Sequence, residues 1–340
     1  MVQRLLDAWC RRHLGAGIAA QFFGLQRLSA VHGVRLADGR EVVLKVRDAQ
    51  PRQRACAIVH EAVWDSGAAA CPQPLVGPLP LAQGAEPVPV PADGSGDRGE
   101  DPVLLDARGL AVNAETWEGE GRTGLGALEP QGWGALLARM TAVAPPVAAL
   151  PRLDPPTPWL HWAHGVPGRV WPPPASPRWD PHRVEATMDP LVPEVAHRAA
   201  ARLSAPDIAS LPVVAGHGDF EAQNCRWVAA TGAVAPRLVV HDWDSVVALS
   251  EAVIAGNSAM TFVSTDDCDI SSLDQNDAFL EGYARERGRP WSALEWQAAH
   301  AAGAWVAAYN AAFEHLKDGP GPVTAGLHGQ GRERLARAGA

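Results

Sequence analysis

The stretch HGDFEAQNCRW, residues 217–227, sets an aspartate, Asp219, five positions ahead of an asparagine, Asn224, directly after the apolar run LPVVAG. The next residues decide how that pair is read. CRWVAATGAVAPRLVVHDWDS, residues 225–245, reads as a strand, a turn containing Thr231-Gly232 and a second strand. In an antiparallel hairpin centred near Ala233, the open end brings Asn224 opposite Asp242. A carboxylate and an amide oxygen side by side, with Asp219 just before them, make a hard-oxygen site. Such a site suits Mg²⁺ carrying phosphates, an ion that keeps several waters and takes one or two protein carboxylates. Taken alone, Asp219 and Asn224 are explained as well by loop capping, since both residue types favour turns. The HDWD run at hairpin-compatible distance is what turns the reading towards a site.

Working upstream, LSAVHGVRLADGREVVLKVRD, residues 28–48, reads as two β-rich runs about Asp38-Gly39, a dipeptide favoured in tight hairpin turns. Alternation in the second run puts Val42, Leu44 and Val46 on one face and Val43, Lys45 and Arg47 on the other. A helix is expected over residues 1–20, with Leu5, Leu6, Trp9 and Leu14 near one face, and another over residues 52–66, with Ile58, Ala62 and Val63 apolar and Gly67 as a stop. The Pro/Gly-rich stretch 71–101 has the profile of a surface loop. Residues 102–119 read as two strands ending near Trp117. Beyond residue 120 the chain turns Ala/Leu-rich and helical, apart from a Pro- and Trp-loaded segment, 150–183, that proline bars from being one regular element. The boundary falls near residue 118, dividing a small β-rich part, 1–118, from a larger helical part, 119–340.

At 340 residues, 47% hydrophobic and 20% charged, the chain has the composition of a folded globular protein with one large domain or two lobes. The net charge of -9 argues against a nucleic-acid partner, which needs a basic surface, and suits a cationic small molecule. No run approaches a membrane span, and the charged opening residues are not expected to be a signal peptide. Five scattered cysteines without a C-x-x-C pair fit a reducing cytoplasm.

The pattern H-G-D-x-x-x-x-N resembles the catalytic loop of the protein-kinase-like superfamily. HGDFEAQN followed by VVHDWDS is most similar to the aminoglycoside phosphotransferase and choline-kinase-like branch. That resemblance implies an α+β, bilobal protein-kinase-like fold: a small N-terminal antiparallel sheet, a larger mainly helical C-terminal lobe, and ATP or GTP between them. It implies that Asp219 orients and deprotonates an acceptor hydroxyl and that Asn224 and Asp242 hold Mg²⁺, with Asp244 nearby. Lys45, the only lysine in the first 300 residues, takes the place of the phosphate-contacting lysine, and Glu61, sixteen residues on, that of its carboxylate partner. Val43 would roof the adenine, Ser29 would lie in the phosphate loop, and the segment ending in Glu115 and Trp117 would serve as the hinge. Asp244, Glu251, Asp266 and Asp267 are candidates for binding a cationic, hydroxylated substrate. The implied activity is transfer of the nucleotide γ-phosphate to a small molecule, an antibiotic first among candidates. Kinases of amino sugars, choline, homoserine or methylthioribose, a nucleotide-binding regulator, and a metal-dependent hydrolase remain alternatives.

The chain departs from the family pattern at Gln26-Arg27, where a glycine doublet is usual, at FEAQN in the loop, and at His241. His217 is best explained as a buried residue bracing the loop through backbone bonds. His161 and His164 have a spacing that binds metal on helices, but their flanking prolines favour a structural role. The tryptophans Trp159, Trp162, Trp171 and Trp179 either stack on a substrate or staple the irregular segment.

Overall fold

A computed structural model describes residues 2–26, 29–81, 109–174, 180–230, 235–265 and 270–340. These form two compact units, 1–57 with 72–117 and 58–71 with 118–340.

The first unit is a sheet with one helix packed on it. Helix α1 (Val2–His13) stops well short of the expected twentieth residue, and the chain enters strand β1 (Ile18–Gln26) after Gly15 at φ 79°. Strands β2 (Ala30–Leu36), β3 (Glu41–Asp48), β4 (Pro74–Pro80) and β5 (Leu110–Thr116) complete an antiparallel sheet in the order β1-β2-β3-β5-β4. The β2–β3 hairpin turns at Asp38-Gly39 as its residues dictate, with Gly39 at φ 89°. Val42, Leu44 and Val46 share the core face with Val34, Leu36, Val112 and Ala114, and Leu6 and Trp9 of α1, with Leu14 just after it, close it. Strand β1 escapes the sequence reading because it lacks alternation and leaves Phe22 and Leu25 exposed. Strand β4 overturns the surface-loop expectation for residues 74–80: proline is tolerated here because β4 is an edge strand with register breaks. The other strand expected in 102–119, ahead of β5, falls largely outside the described residues.

Helix α2 (Arg52–Ser66) begins in the first unit and ends in the second, stopped by Gly67 at φ 65°. Its buried positions are Arg52, Gln53, Ala55, Cys56, Val59, His60 and Val63, so of the expected apolar positions Val63 is buried while Ile58 and Ala62 are half-buried and the inward face is turned towards Val59 and His60.

The second unit is mainly helical. Strand β6 (Arg122–Thr123) leads to α3 (Pro130–Val143), and after the irregular segment come α4 (Leu191–Leu203) and the short α5 (Pro206–Ala209). Strand β7 (Val213–His217) pairs with β10 (Val246–Ser250), and β8 (Cys225–Val228) pairs with β9 (Arg237–Val240) and β6. Helices α6 (Glu251–Thr261), α7 (Leu273–Glu286), α8 (Ala293–Asp318) and α9 (Pro322–Ala338) follow. Helices α6 and α8 approach backbone to backbone: a Cβ at Gly256 would lie 2.1 Å from the Ala299 carbonyl oxygen. That closeness holds α6 against the core behind the β7–β10 pair. No helix among the described residues is long and apolar enough to cross a membrane.

Candidate active site

The HGD stretch lies where β7 ends. His217 is 1% exposed and pairs across to Val246 of β10. Its Nδ1 accepts the Asp219 N–H at 3.2 Å and its Nε2 lies 2.9 Å from the His241 carbonyl oxygen. An amide can only donate and a carbonyl can only accept, so these two bonds fix one neutral tautomer, protonated on Nε2. The ring is thus a backbone brace, and it ties the loop after β7 to the residue before Asp242. Gly218 allows this closeness, because a Cβ there would stand 2.6 Å from the Ser245 carbonyl oxygen.

Asn224 closes the loop on Asp219. Its Nδ2 donates to the Asp219 carbonyl oxygen at 3.0 Å and to Asp219 Oδ2 at 2.9 Å. With the amide nitrogen committed to Asp219, the orientation of Oδ1 is fixed as well. The turn holding Asn224 is braced from behind, since Ala222 N–H donates to Phe262 O and Gln223 N–H to Ser264 O, each at 3.1 Å.

The β8–β9 hairpin is one residue out of the expected register. Cys225 pairs with Val240, so Asn224 lies across from His241, whose N–H donates to the Asn224 carbonyl at 2.9 Å, and not across from Asp242. A one-residue slip would send the Asp242 side chain to the opposite face of a continuing strand. The strand does not continue. Asp242 adopts the left-handed conformation, φ 63° and ψ 45°, and the chain turns there into a short helical turn, Trp243–Ser245. Asp242 is the one non-glycine residue with positive φ among those described. Ser245 locks the turn, its hydroxyl donating to the Asp242 carbonyl at 2.9 Å. Trp243 is buried between two imidazoles, stacked on His60 at 5.1 Å and edge-on to His217 at 5.1 Å. The inward phase of α2 therefore has a purpose within this unit: His60 backs the aromatic residue between Asp242 and Asp244.

Electrostatics single out a residue that motif reading passed over. Burial pushes the Asp219 carboxyl well above its usual range, and the carboxylates of Glu221 and Asp242 push it further, against the opposing bond from Asn224. Glu221 is itself buried and raised to about 7, chiefly by burial, with Asp242 adding to it and the bond from Gln223 Nε2 opposing it. The Asp219 and Glu221 carboxyls are thus both raised beside the Asp242 carboxylate, a field that a cation relieves. Glu221 appeared in the sequence only as part of an atypical FEAQN loop. The one available signal was an acid flanked by Phe220 and Ala222, both of which are buried.

The donor set fits a hard cation: carboxylate and amide oxygens, with no sulfur and with the nearest imidazole spent on backbone. Among the described residues no group of three or more His, Cys, Asp or Glu side chains forms a metal cage. An Mg²⁺ that keeps its waters and arrives on phosphates does not need one.

The other candidates divide. Lys45, in the first unit, is 7% exposed, and its ammonium stands 3.4 Å from Glu115, which is 3% exposed, on the adjacent strand β5. Within its own unit the carboxylate beside Lys45 is therefore Glu115 of the neighbouring strand, a residue the sequence had placed only in the hinge segment, while Glu61 is exposed on α2. Val43 is buried on the same face of β3 and pairs with Glu115. Ser29 is half-buried at the tip between β1 and β2. Trp117 packs against Phe22 and Phe23, with ring centroids 5.5 and 5.2 Å away. Its N–H donates to Glu41 O and that of Thr116 to Gln73 O, so neither is open for a base in this segment.

Glu251 is buried and clamped by Arg287 at 2.5 Å and Arg289 at 3.2 Å. Its charge is compensated, which removes it from the set expected to bind a cationic substrate. Asp244 is half-buried in the turn after Asp242. Asp266 and Asp267 lie outside the described residues, as does Trp179. His164 is structural: Nδ1 accepts the Val166 N–H at 3.2 Å and Nε2 lies 3.2 Å from the Val170 carbonyl oxygen.

No protein-family sequence model and no curated protein sequence matches the chain. Solved structures do match. An amicoumacin kinase in complex with AMP-PNP and Ca²⁺ superposes with a TM-score of 0.55 at 11% identity, over 93% of this chain and 88% of that one. The chain has the fold of the small-molecule kinases. A spectinomycin phosphotransferase in complex with ADP and spectinomycin gives 0.52 at 10% identity, over 99% and 93%. A microcompartment-associated aminopropanol kinase gives 0.51 at 16% identity, over 98% and 94%. The expected α+β kinase-like architecture is therefore the observed one.

Proposed function

We propose that the chain is a small-molecule kinase that moves the γ-phosphate of ATP or GTP to a hydroxyl of an amine-bearing acceptor, an antibiotic of the aminoglycoside type first among candidates. One observation supports this above the rest: Asn224 grips both the backbone and the carboxylate of Asp219, beside the buried Glu221 and the half-buried Asp242 carboxylates. In this reading Asp219 aims the acceptor hydroxyl and takes up its proton, and its raised affinity for protons favours that role. Asn224 Oδ1 and Asp242 would hold Mg²⁺, which when bound supplies charge neutralisation to the phosphates. Lys45 would offer its ammonium to the nucleotide, with Glu115 keeping the side chain extended and charged. Phosphoryl transfer asks little covalent chemistry of the protein, so placement of these groups and charge neutralisation supply most of the acceleration.

The acceptor class draws on two supports. The chain's net charge of -9 attracts cations. The proteins sharing its fold include kinases of spectinomycin, amicoumacin and aminopropanol. ADP release measured against a panel of aminoglycosides, spectinomycin, small amino alcohols and neutral sugars tests the proposal. Turnover with one amine-bearing alcohol, and its loss in D219N, is the expected result. Mg-ATP binding without phosphorylated product from any acceptor would overturn it.

A further inference from the structure

The Pro- and Trp-rich segment reaches the candidate active site through one indole. At the turn Pro158–Leu160, Trp159 Nε1–H donates to the Gly218 carbonyl oxygen at 2.8 Å. The same oxygen accepts from Asn257 Nδ2 of α6 at 3.2 Å. The amide on the other side of that peptide bond belongs to Asp219, and it donates to His217 Nδ1 at 3.2 Å. The Gly218–Asp219 peptide is therefore held at both ends, by two donors on its oxygen and one acceptor on its nitrogen. A peptide unit is planar, so fixing both ends fixes its orientation. The direction in which the Asp219 side chain leaves the backbone follows from it.

Trp159 is itself anchored, its carbonyl oxygen accepting from Trp305 Nε1–H of α8 at 2.8 Å. Trp305 is buried and lies against Trp171 with ring centroids 6.0 Å apart. Beside the turn, the buried Leu160 side chain would stand 3.1 Å from a Cβ placed on Gly218. The tryptophans thus form a relay from α8 through the irregular segment to the residue before Asp219. A segment serving only to cover core needs no hydrogen bond to that loop.

We infer that Trp159 is a positioning residue, whose indole N–H sets the Gly218–Asp219 peptide plane and through it the aim of the Asp219 carboxylate. The inference rests on the role proposed above for Asp219, and its test keeps the two apart. W159F removes the N–H while leaving a ring, and W159H restores a ring donor. With an acceptor found in the panel, W159F should lower kcat roughly three- to tenfold, the scale of one hydrogen bond, with KM for nucleotide unchanged. W159H should recover part of the loss. A fall in thermal stability with kcat per folded molecule unchanged would mean the indole is only a staple, and the inference would be wrong.

A second measurement needs neither turnover nor a Trp159 variant that folds. In ¹⁵N-tryptophan protein the Trp159 indole N–H, assigned through its contacts with Leu160, should exchange slowly and shift in D219N. Exchange as fast as a free indole, or no shift, would overturn the inference even in an active kinase. A protected, responsive indole in a chain that phosphorylates nothing would preserve the link and remove the kinase reading instead.

Discussion

In the sheet unit, Lys45 and Glu115 bring opposite charges to 3.4 Å under almost complete burial. In the helical unit, Asp219, Glu221 and Asp242 bring like charges together, and Asp219 and Glu221 hold their protons more tightly, through burial first and the neighbouring carboxylates second. The first arrangement is complete in the chain alone. Each charge offsets the other, and removing one partner would leave the other buried and uncompensated. The second differs: the Asp219 and Glu221 carboxylates accept from the neutral amides of Asn224 and Gln223 while repelling one another. A pair of opposite charges holds structure, whereas a cluster of like charges favours a cation.

The same class of substitution should then act with opposite sign in the two places. D219N has the largest effect: turnover with the panel acceptor should fall by about 10²- to 10⁴-fold. The unfolding midpoint of the unliganded chain at pH 8 should nevertheless rise, because one of three repelling carboxylates is gone. A lowered midpoint there would erase the contrast. K45M comes next. Leaving Glu115 buried and unpaired should cost about 3–5 kcal/mol in urea unfolding, besides any loss of nucleotide affinity. Unchanged stability would mean that the pair is incidental.

The smallest effect sharpens the contrast through pH. The folded chain holds a proton on Glu221 up to about 7, while the unfolded chain releases it near 4.5. Across that interval the folded state binds more protons, so the stability of the unliganded protein should decline as pH rises from 4.5 towards 7 and be highest below it. E221Q should flatten this decline, and millimolar Mg²⁺ should oppose it in the wild type. A stability that instead climbs over the interval would show that the three carboxylates do not repel in the folded state.

Much of this was legible in the residues themselves. Asp38-Gly39 dictated the β2–β3 turn, and alternation placed Val42, Leu44 and Val46 in the core. The pairing of Asp219 with Asn224 follows from a spacing short enough for one loop to close. What could not be read were features decided by tertiary partners. The carboxylate for Lys45 comes from a strand reached after a long intervening stretch, so its proximity is a property of sheet order and not of spacing. The face of α2 is turned by its burial of His60 against Trp243, which hydrophobic periodicity does not see, because a histidine counts there as polar. Strand β4 reads as loop from its prolines and survives because one side of it needs no partner. Glu251 looked like a free acid because its arginines arrive from a distant turn.

The left-handed backbone at Asp242 sets two demands on a single codon. Geometry alone would be served best by glycine or asparagine, and an aspartate there carries a conformational cost of about 1 kcal/mol. Divergent copies of this chain that abandon catalysis should drift towards Gly or Asn at this position, relaxing the bend. Under the metal-holding role proposed for Asp242, position 242 becomes a marker for telling working descendants from retired ones.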